Sequence, residues 1–428
     1  MKKSRFALMA LAFLFLAGCS GKNDGTITLT GYIQIDPADP QYASWNPTLA
    51  AFSELYPNIK LDFEYVTGEQ FHDKFQIMAT ARQIPDLFTL YAGQRSGYIL
   101  NRGLAMDLRP FLTDEFKANY NEAIWEPQGP NGEIYIIAPN MAVATVIYAN
   151  PALLSGLGLS PATTLNELIA QVPTIRGAGF DVLMFGNSAV WPGSSLLQSA
   201  LLERTAGKDW FARAMSGEAK FSDRPFVESL EVIKRMTDAR VFSAGMNQLS
   251  GLNAITEFVN GRSAYLLQAG WSLSAIRAAA DPEFFNTILV LPFPDLPNDL
   301  NPGSNVATLG EAIGMSSRLN KEKAEAAWAF LSFLYGEFGM DALMRKGSDV
   351  TYRLDLSKYD IDPVMRQYIE MTDRQHMGWI IDAKMDGEGV NLVLNPGIQA
   401  ITIGSKTPQQ VADEYEAWVA ANEAGRRR

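Results

Sequence analysis

The sequence holds one cysteine, Cys19, in 428 residues, so no disulfide can form within the chain and its fold must stand on its core alone. Histidine is almost as scarce, with only His72 and His376. His376, in the stretch DRQH (373–376), has no cysteine or histidine at metal-ligand spacing, which argues against zinc; no metal or cofactor is expected. His72 falls on the polar side of a helix carrying Phe71 and Phe75 and reads as a solvated surface histidine. A glycine-rich phosphate loop, a Gly-x-Ser-x-Gly elbow and a His-Glu-x-x-His pair are all missing, so catalytic signals are weak. Positive charge is in deficit too, 36 Lys and Arg against 47 Asp and Glu, for a net −11. Such a surface repels nucleic acid and anionic headgroups, so neither is an expected partner.

Long apolar runs are confined to one place. Lys2, Lys3 and Arg5 precede an unbroken apolar stretch at 6–17, too short to cross a ~30 Å hydrocarbon core and suited to an export signal. It ends in Leu16, Ala17, Gly18 and Cys19, which resembles a bacterial lipobox whose thiol receives diacylglycerol. The expectation is a signal peptide at 1–18, removal of which takes the net charge to −14, and a lipidated Cys19. A short polar tether to residue 25 would hold the protein on a membrane, facing the periplasm or the outside. The roughly 400 residues that follow exceed what one core usually holds, which makes two domains the starting expectation.

What is present is alternation of strand and helix. Residues 26–33 and 59–65 alternate apolar and polar side chains, as strands do. Asn46 and Pro47 read as cap and first-turn proline of a helix ended by Pro57. Phe71, Phe75 and Met78 mark a second helix, and 87–91 (LFTLY) a strand buried on both faces. This order argues for a parallel sheet covered by helices. Capping boxes open helices at Thr164 and Thr407, the latter burying Val411, Tyr415 and Trp418; Asn320 opens a third, closed by Gly336. Residues 263–269 and 286–291 read as further strands.

Among the eight tryptophans, Trp328 and Trp418 lie on apolar helix stripes and Trp210 reads the same way, as core. Trp45, Trp191, Trp271 and Trp379 lie beside Gly, Pro, Ser or Asn in expected loops or element ends. A flat aromatic face in a cleft can stack on a sugar ring while nearby amides and carboxylates take its hydroxyls, so these four point towards carbohydrate.

Several segments, in order, resemble one family: FSELYPNIKL (52–61), FHDKFQIMA (71–79) with IPDLF (84–88), GLAMDL (103–108), GEIYIIAP (132–139), VIYANP (146–151), NGRSA (260–264) with Gly270 and Trp271, and GSKTP (404–408). They are similar to the solute-binding proteins of bacterial ATP-binding-cassette importers, in the sugar-binding group that includes maltodextrin-binding protein. The resemblance implies two α/β lobes, each a sheet flanked by helices, joined by three crossing segments near 140–143, 291–294 and 346–350. The lobes would be 26–141 with 293–347 and 142–292 with 348–428. Ligand would lie between them, touched by Trp45, Tyr91, Gln94 and Arg95 from the first lobe, Asn140 at the crossing, and Asn187, Trp191, Trp271 and Trp379 beyond it. Leu90, and an aliphatic stretch near Val393, stand where maltodextrin-binding protein has aromatic cleft residues, which implies a shorter sugar or one of another kind. The implied partners are a small sugar and the permease subunits in the membrane, with the protein itself monomeric and not an enzyme. Two alternatives stay open. One is a non-sugar solute such as a glycerol phosphate or organic anion, with Arg95 as counter-charge. The other is a surface enzyme acting on polysaccharide with an acid and base carboxylate pair.

Overall fold

A computed structural model of the chain describes residues 25–35, 42–68 and 70–426. The signal run 1–18, Cys19 and the tether as far as residue 24 lie outside them. Eleven strands are described: β1 (Ile27–Gln34), β2 (Ile59–Val66), β3 (Leu87–Leu90), β4 (Met141–Val143), β5 (Val146–Ala149), β6 (Asp181–Met184), β7 (Ser263–Gln268), β8 (Leu289–Leu291), β9 (Asn305–Leu309), β10 (Ala312–Met315) and β11 (Met377–Trp379). They form three sheets, ordered β10-β3-β1-β2, β6-β7-β5-β8 and β11-β9-β4.

The first sheet is parallel from β2 through β1 to β3, as the alternation at the start of the chain predicts, and β10 joins it antiparallel. All four residues of β3 are buried, because helices cover both faces. One face is packed by aromatic rings: Phe330 lies edge-on to Phe52 at 5.1 Å and close to Phe63 at 5.6 Å. The second sheet is mixed and equally covered. Along β5, Ile147 and Ala149 enter one apolar cluster while Val146 and Tyr148 enter another, the two-residue period sending alternate side chains to opposite faces. Each large sheet thus carries its own core, and the molecule is a two-lobed α/β protein.

The helix ends follow the sequence closely. Thr164 Oγ1 accepts from the Glu167 amide, and the Glu167 carboxylate accepts in return from the Thr164 amide. Thr407 and Gln410 make the same reciprocal pair, and Asn320 caps the helix Lys321–Leu334. Two expectations shift. The helix expected to begin at Asn46 begins at Tyr42 and runs through Pro47 to Leu55; a proline this close to the N-terminus removes a single ladder bond, which the helix tolerates. The strand expected at 286–291 is shortened to β8, because Asp281 caps a short helix, Pro282–Phe285, that uses Asn286 as its end.

Two of the crossings move as well. Met141 packs against cores of both lobes, so the first passage is at β4 as expected. The second was expected at 291–294, yet Phe293 and Leu296 pack in the second lobe, and the chain passes at β9, where Ala307 packs in the second lobe and Leu309 against the first. The third was expected at 346–350. It completes later, because Val350 and Tyr352 still pack on the first core while Val364 and Met365 enter the second.

The stretch leading to β9 is held by one buried cation. Arg204, with no solvent exposure, donates to the carbonyls of Pro294 (3.1 Å) and Ser304 (2.8 Å) and faces Asp299 at 3.3 Å. Removing it would strand the Asp299 carboxylate and two carbonyls away from water. Arg204→Met is therefore expected to cost roughly 3–5 kcal/mol in chemical denaturation. Arg224→Ala, at an exposed ion pair, should leave the midpoint nearly unchanged. Equal losses from the two would show that Arg204 does not hold this loop.

Candidate functional site

Between the lobes, segments far apart in sequence converge on a narrow pocket of about 10 Å³. Asn140 arrives just before β4. Trp271 sits in a tight turn, Gly270–Ser272, that follows β7 and leads into the helix carrying Ser274. Ser348 and Asp349 come from the third crossing, and Tyr368 from the helix Pro363–Arg374. Residue 270 must be glycine for the pocket to close, since a Cβ there would collide with the Tyr368 hydroxyl.

The pocket is polar in an unusual way. The hydroxyls of Ser274 and Ser348 are buried and have no hydrogen-bond partner among the described residues. An unsatisfied buried hydroxyl costs about 1–3 kcal/mol, so two of them facing one cavity mark a place that a polar ligand or solvent completes. The Asp349 carboxyl is pushed up to about 6, chiefly by burial, with the nearby Asp373 charge adding to it and a bond from the Val350 amide opposing. The Tyr368 hydroxyl is held well above its usual range by burial and by Asp349. At neutral pH the pocket therefore presents an ionised carboxylate, two hydroxyls, an amide and the rings of Trp271 and Tyr368.

A second junction lies where the turn Gly93–Ser96 of the first lobe meets the helix Ile381–Lys384 of the second. Arg95 pairs with Asp382 at 2.8 Å and stacks over Tyr91 at 4.7 Å. Its Nε donates to His72 Nε2 (3.3 Å), which leaves the proton of the neutral ring on Nδ1, beside the Tyr98 hydroxyl at 3.2 Å. Burial and the Arg95 charge hold His72 down at about 3. His72 is thus no solvated surface histidine: its helix packs the ring against the Arg95 loop. Arg95, read as an available counter-charge for an anionic solute, is already neutralised by Asp382. Gly93 meets the Ala383 carbonyl so closely that no side chain fits there.

The expected site residues divide accordingly. Asn140 and Trp271 line the pocket. Tyr91 and Arg95 join the second junction, Tyr91 through its hydroxyl to Gln34 Oε1 at 2.8 Å, and Gln94 stands exposed beside them. Asn187 is wholly buried and its amide is used up, accepting from the Gly193 amide and donating to Asn247. It positions the loop that bears Trp191, where Val190 sits at φ +60°, a costly conformation for a β-branched residue. Trp191 itself is half-buried against the second core. Trp45 is placed elsewhere, on the helix-covered face of the first sheet beside Phe63 and Phe330, with its indole N–H donated to Tyr65. Trp379 is 48% exposed on β11, one face covered by the Lys384 ammonium at 3.3 Å. Trp210 is buried, and Trp328 and Trp418 are part-buried, stacked on Phe111 and Tyr415. Sequence reasoning missed Ser274, Ser348, Asp349 and Tyr368. The one signal for them was that Ser348 and Asp349 fall inside an expected crossing segment.

The profile of the family described as "bacterial extracellular solute-binding protein" matches residues 37–340. An uncharacterised extracellular-binding protein of an ABC transporter from Pyrococcus horikoshii is 24% identical over 185 residues, 42% of each chain, so the match spans less than half of that relative. A solved protein from work on xylan utilization by Caldanaerobius polysaccharolyticus superposes with a TM-score of 0.81 at 20% identity, covering 92% of this chain and all of the other. The maltose/maltodextrin-binding domain of Bdellovibrio bacteriovorus, bound to maltotriose, gives 0.74 at 16%, covering 94% and 100%. At these identities the solved structures speak for the fold.

Asp349 sets a pH signature. Its carboxyl titrates higher in the folded chain than in the unfolded one, so the folded state holds the extra proton between about pH 4 and 6 and loses stability as pH rises through that window. Asp349→Asn should therefore raise the unliganded melting temperature by a few degrees above pH 6 and leave it unchanged near pH 4. An equal shift at both pH values would remove the carboxylate as its cause.

Proposed function

The chain belongs to the family of bacterial extracellular solute-binding proteins, and we propose that it captures a carbohydrate between its lobes and delivers it to the membrane subunits of an ABC importer. The observation that carries the reading is the interlobe pocket, where Trp271 and Tyr368 line the same cavity as the polar groups of Asn140, Ser274, Ser348 and Asp349. A sugar ring needs that combination, an apolar face for stacking and partners for the hydroxyls around its edge. Leu90 and the aliphatic stretch near Val393 favour a short sugar over a long chain. The solved neighbours named with maltotriose and with xylan utilization lend the reading support.

Capture without bond chemistry is part of the proposal. Glycoside hydrolysis takes a pair of carboxylates flanking the scissile bond, and Asp349 is the sole carboxylate lining this pocket among the described residues. The lobes we assign are 26–141 with 305–352 and 142–304 with 353–426, each contributing part of the site, so that ligand holds them together. Tyr91, Gln94 and Arg95 would close over it from the first lobe, and Trp191 from the second. The protein would act as a monomer, held to its membrane by lipid on Cys19.

Two measurements test this. Trp271→Ala should weaken binding of the best sugar from a thermal-shift panel by roughly 1–3 kcal/mol, with no products formed by either protein. Turnover by the wild type would replace capture with catalysis, and unchanged affinity would move the site away from Trp271. Cys19→Ser should move the protein from the membrane fraction to the soluble one with its melting temperature intact; retention on the membrane would exclude the lipid tether.

A further inference from the structure

The pocket between the lobes has a sign. Among the described residues, Asp349 is the only side chain lining it that carries a full charge, and no Lys, Arg or His lines it. The cation nearby is committed elsewhere. Arg277, beside Gly347, pairs with Asp362 and lies over the Phe285 ring. Asp373 adds a second negative charge close to Asp349 rather than a balancing one. A carboxylate withdrawn from water without a cation is unfavourable unless something else donates to it. Ser274 and Ser348, buried and unpartnered at the same cavity, do not bond to it.

We propose that Asp349 determines the charge class of the solute: it admits ligands that bring a hydrogen-bond donor, a sugar hydroxyl or an ammonium, and excludes those that bring a negative charge. The inference rests on the carbohydrate reading above and narrows it. A hydroxyl donating to Asp349 completes the carboxylate's hydrogen bonding, and the remaining hydroxyls of the ring meet Ser274, Ser348 and Asn140. A uronate, aldonate or sugar phosphate would place a second anion against Asp349 with no counter-charge among the described lining residues to relieve it, and like-charge contact of this kind opposes recognition. A phosphate or organic-anion solute is thereby excluded from this pocket.

The test uses matched sugars and the full-length protein. Xylotriose, cellotriose and maltotriose are compared with their aldonate forms, and glucose with glucosamine and glucuronate, by titration calorimetry at pH 7.5, where Asp349 is ionised. The wild type is expected to bind at least one neutral or aminated sugar and to bind the matching anion at least about a hundredfold more weakly. Asp349→Asn, which keeps the shape and loses the charge, should narrow that ratio tenfold or more. Wild-type affinity for an anion equal to that for its neutral partner would overturn the inference while leaving the carbohydrate reading in place. So would an Asp349→Asn protein with an unchanged ratio. Failure of every sugar, neutral, aminated and anionic, to bind would overturn the carbohydrate reading and this inference with it.

Discussion

Everything that distinguishes this molecule from two separate α/β domains passes through three short strands and one side chain. In the small sheet β11-β9-β4, the central strand begins at Asn305, which is buried. Its amide group donates to the Thr145 carbonyl at 2.7 Å and to Gln375 Oε1 at 3.1 Å, and its own backbone amide donates to the His376 carbonyl at 2.9 Å. One residue therefore bonds all three strand neighbourhoods, at the level where the chain passes between cores. Backbone ladders resist stretching and shear but allow twist, so such a sheet lets two lobes rotate while keeping their register. The pocket sits beside the first of these strands, where a small rotation changes most what the lobes present to each other.

The legibility of the sequence follows the range of each interaction. Where structure depends on neighbours a few residues apart, the residues announce it: the alternation of β1 and β2, the reciprocal bonds of Thr164 with Glu167, and the all-buried run of β3. The pocket is the opposite case. Asp349 and Tyr368 reach Trp271 from roughly a hundred residues further along the chain, and nothing local marks an ordinary aspartate in a turn as a buried one. Trp45 shows the reverse error of local reading. Its position beside Asn46 and Pro47 suggests a loop, yet the helix begins earlier and turns its ring onto Phe63 and Phe330. His72 was misread for a related reason, since the helix gives it a polar side, and the Arg95 loop that covers that side is more than twenty residues away.

Two interlobe features pull in opposite directions on closure. The Arg95–Asp382 pair, largely buried and stacked on Tyr91, favours the arrangement seen here. Against it stands the pocket, where the hydroxyls of Ser274 and Ser348 are buried without partners among the described residues, each at a cost of about 1–3 kcal/mol.

A ligand with hydroxyls changes the second side of that balance and leaves the first untouched. Every polar group that closure would orphan is one that a sugar ring can satisfy, so the ligand's binding energy is spent on the groups that oppose closing. A ligand shifts an equilibrium only by its differential affinity for the two states, and on the proposed reading that differential would come from partners given to the polar rim, while stacking on Trp271 would govern how tightly a solute is held. A molecule that stacked well but offered no donors would bind without closing the lobes, and a permease that recognises the closed form would pass it by.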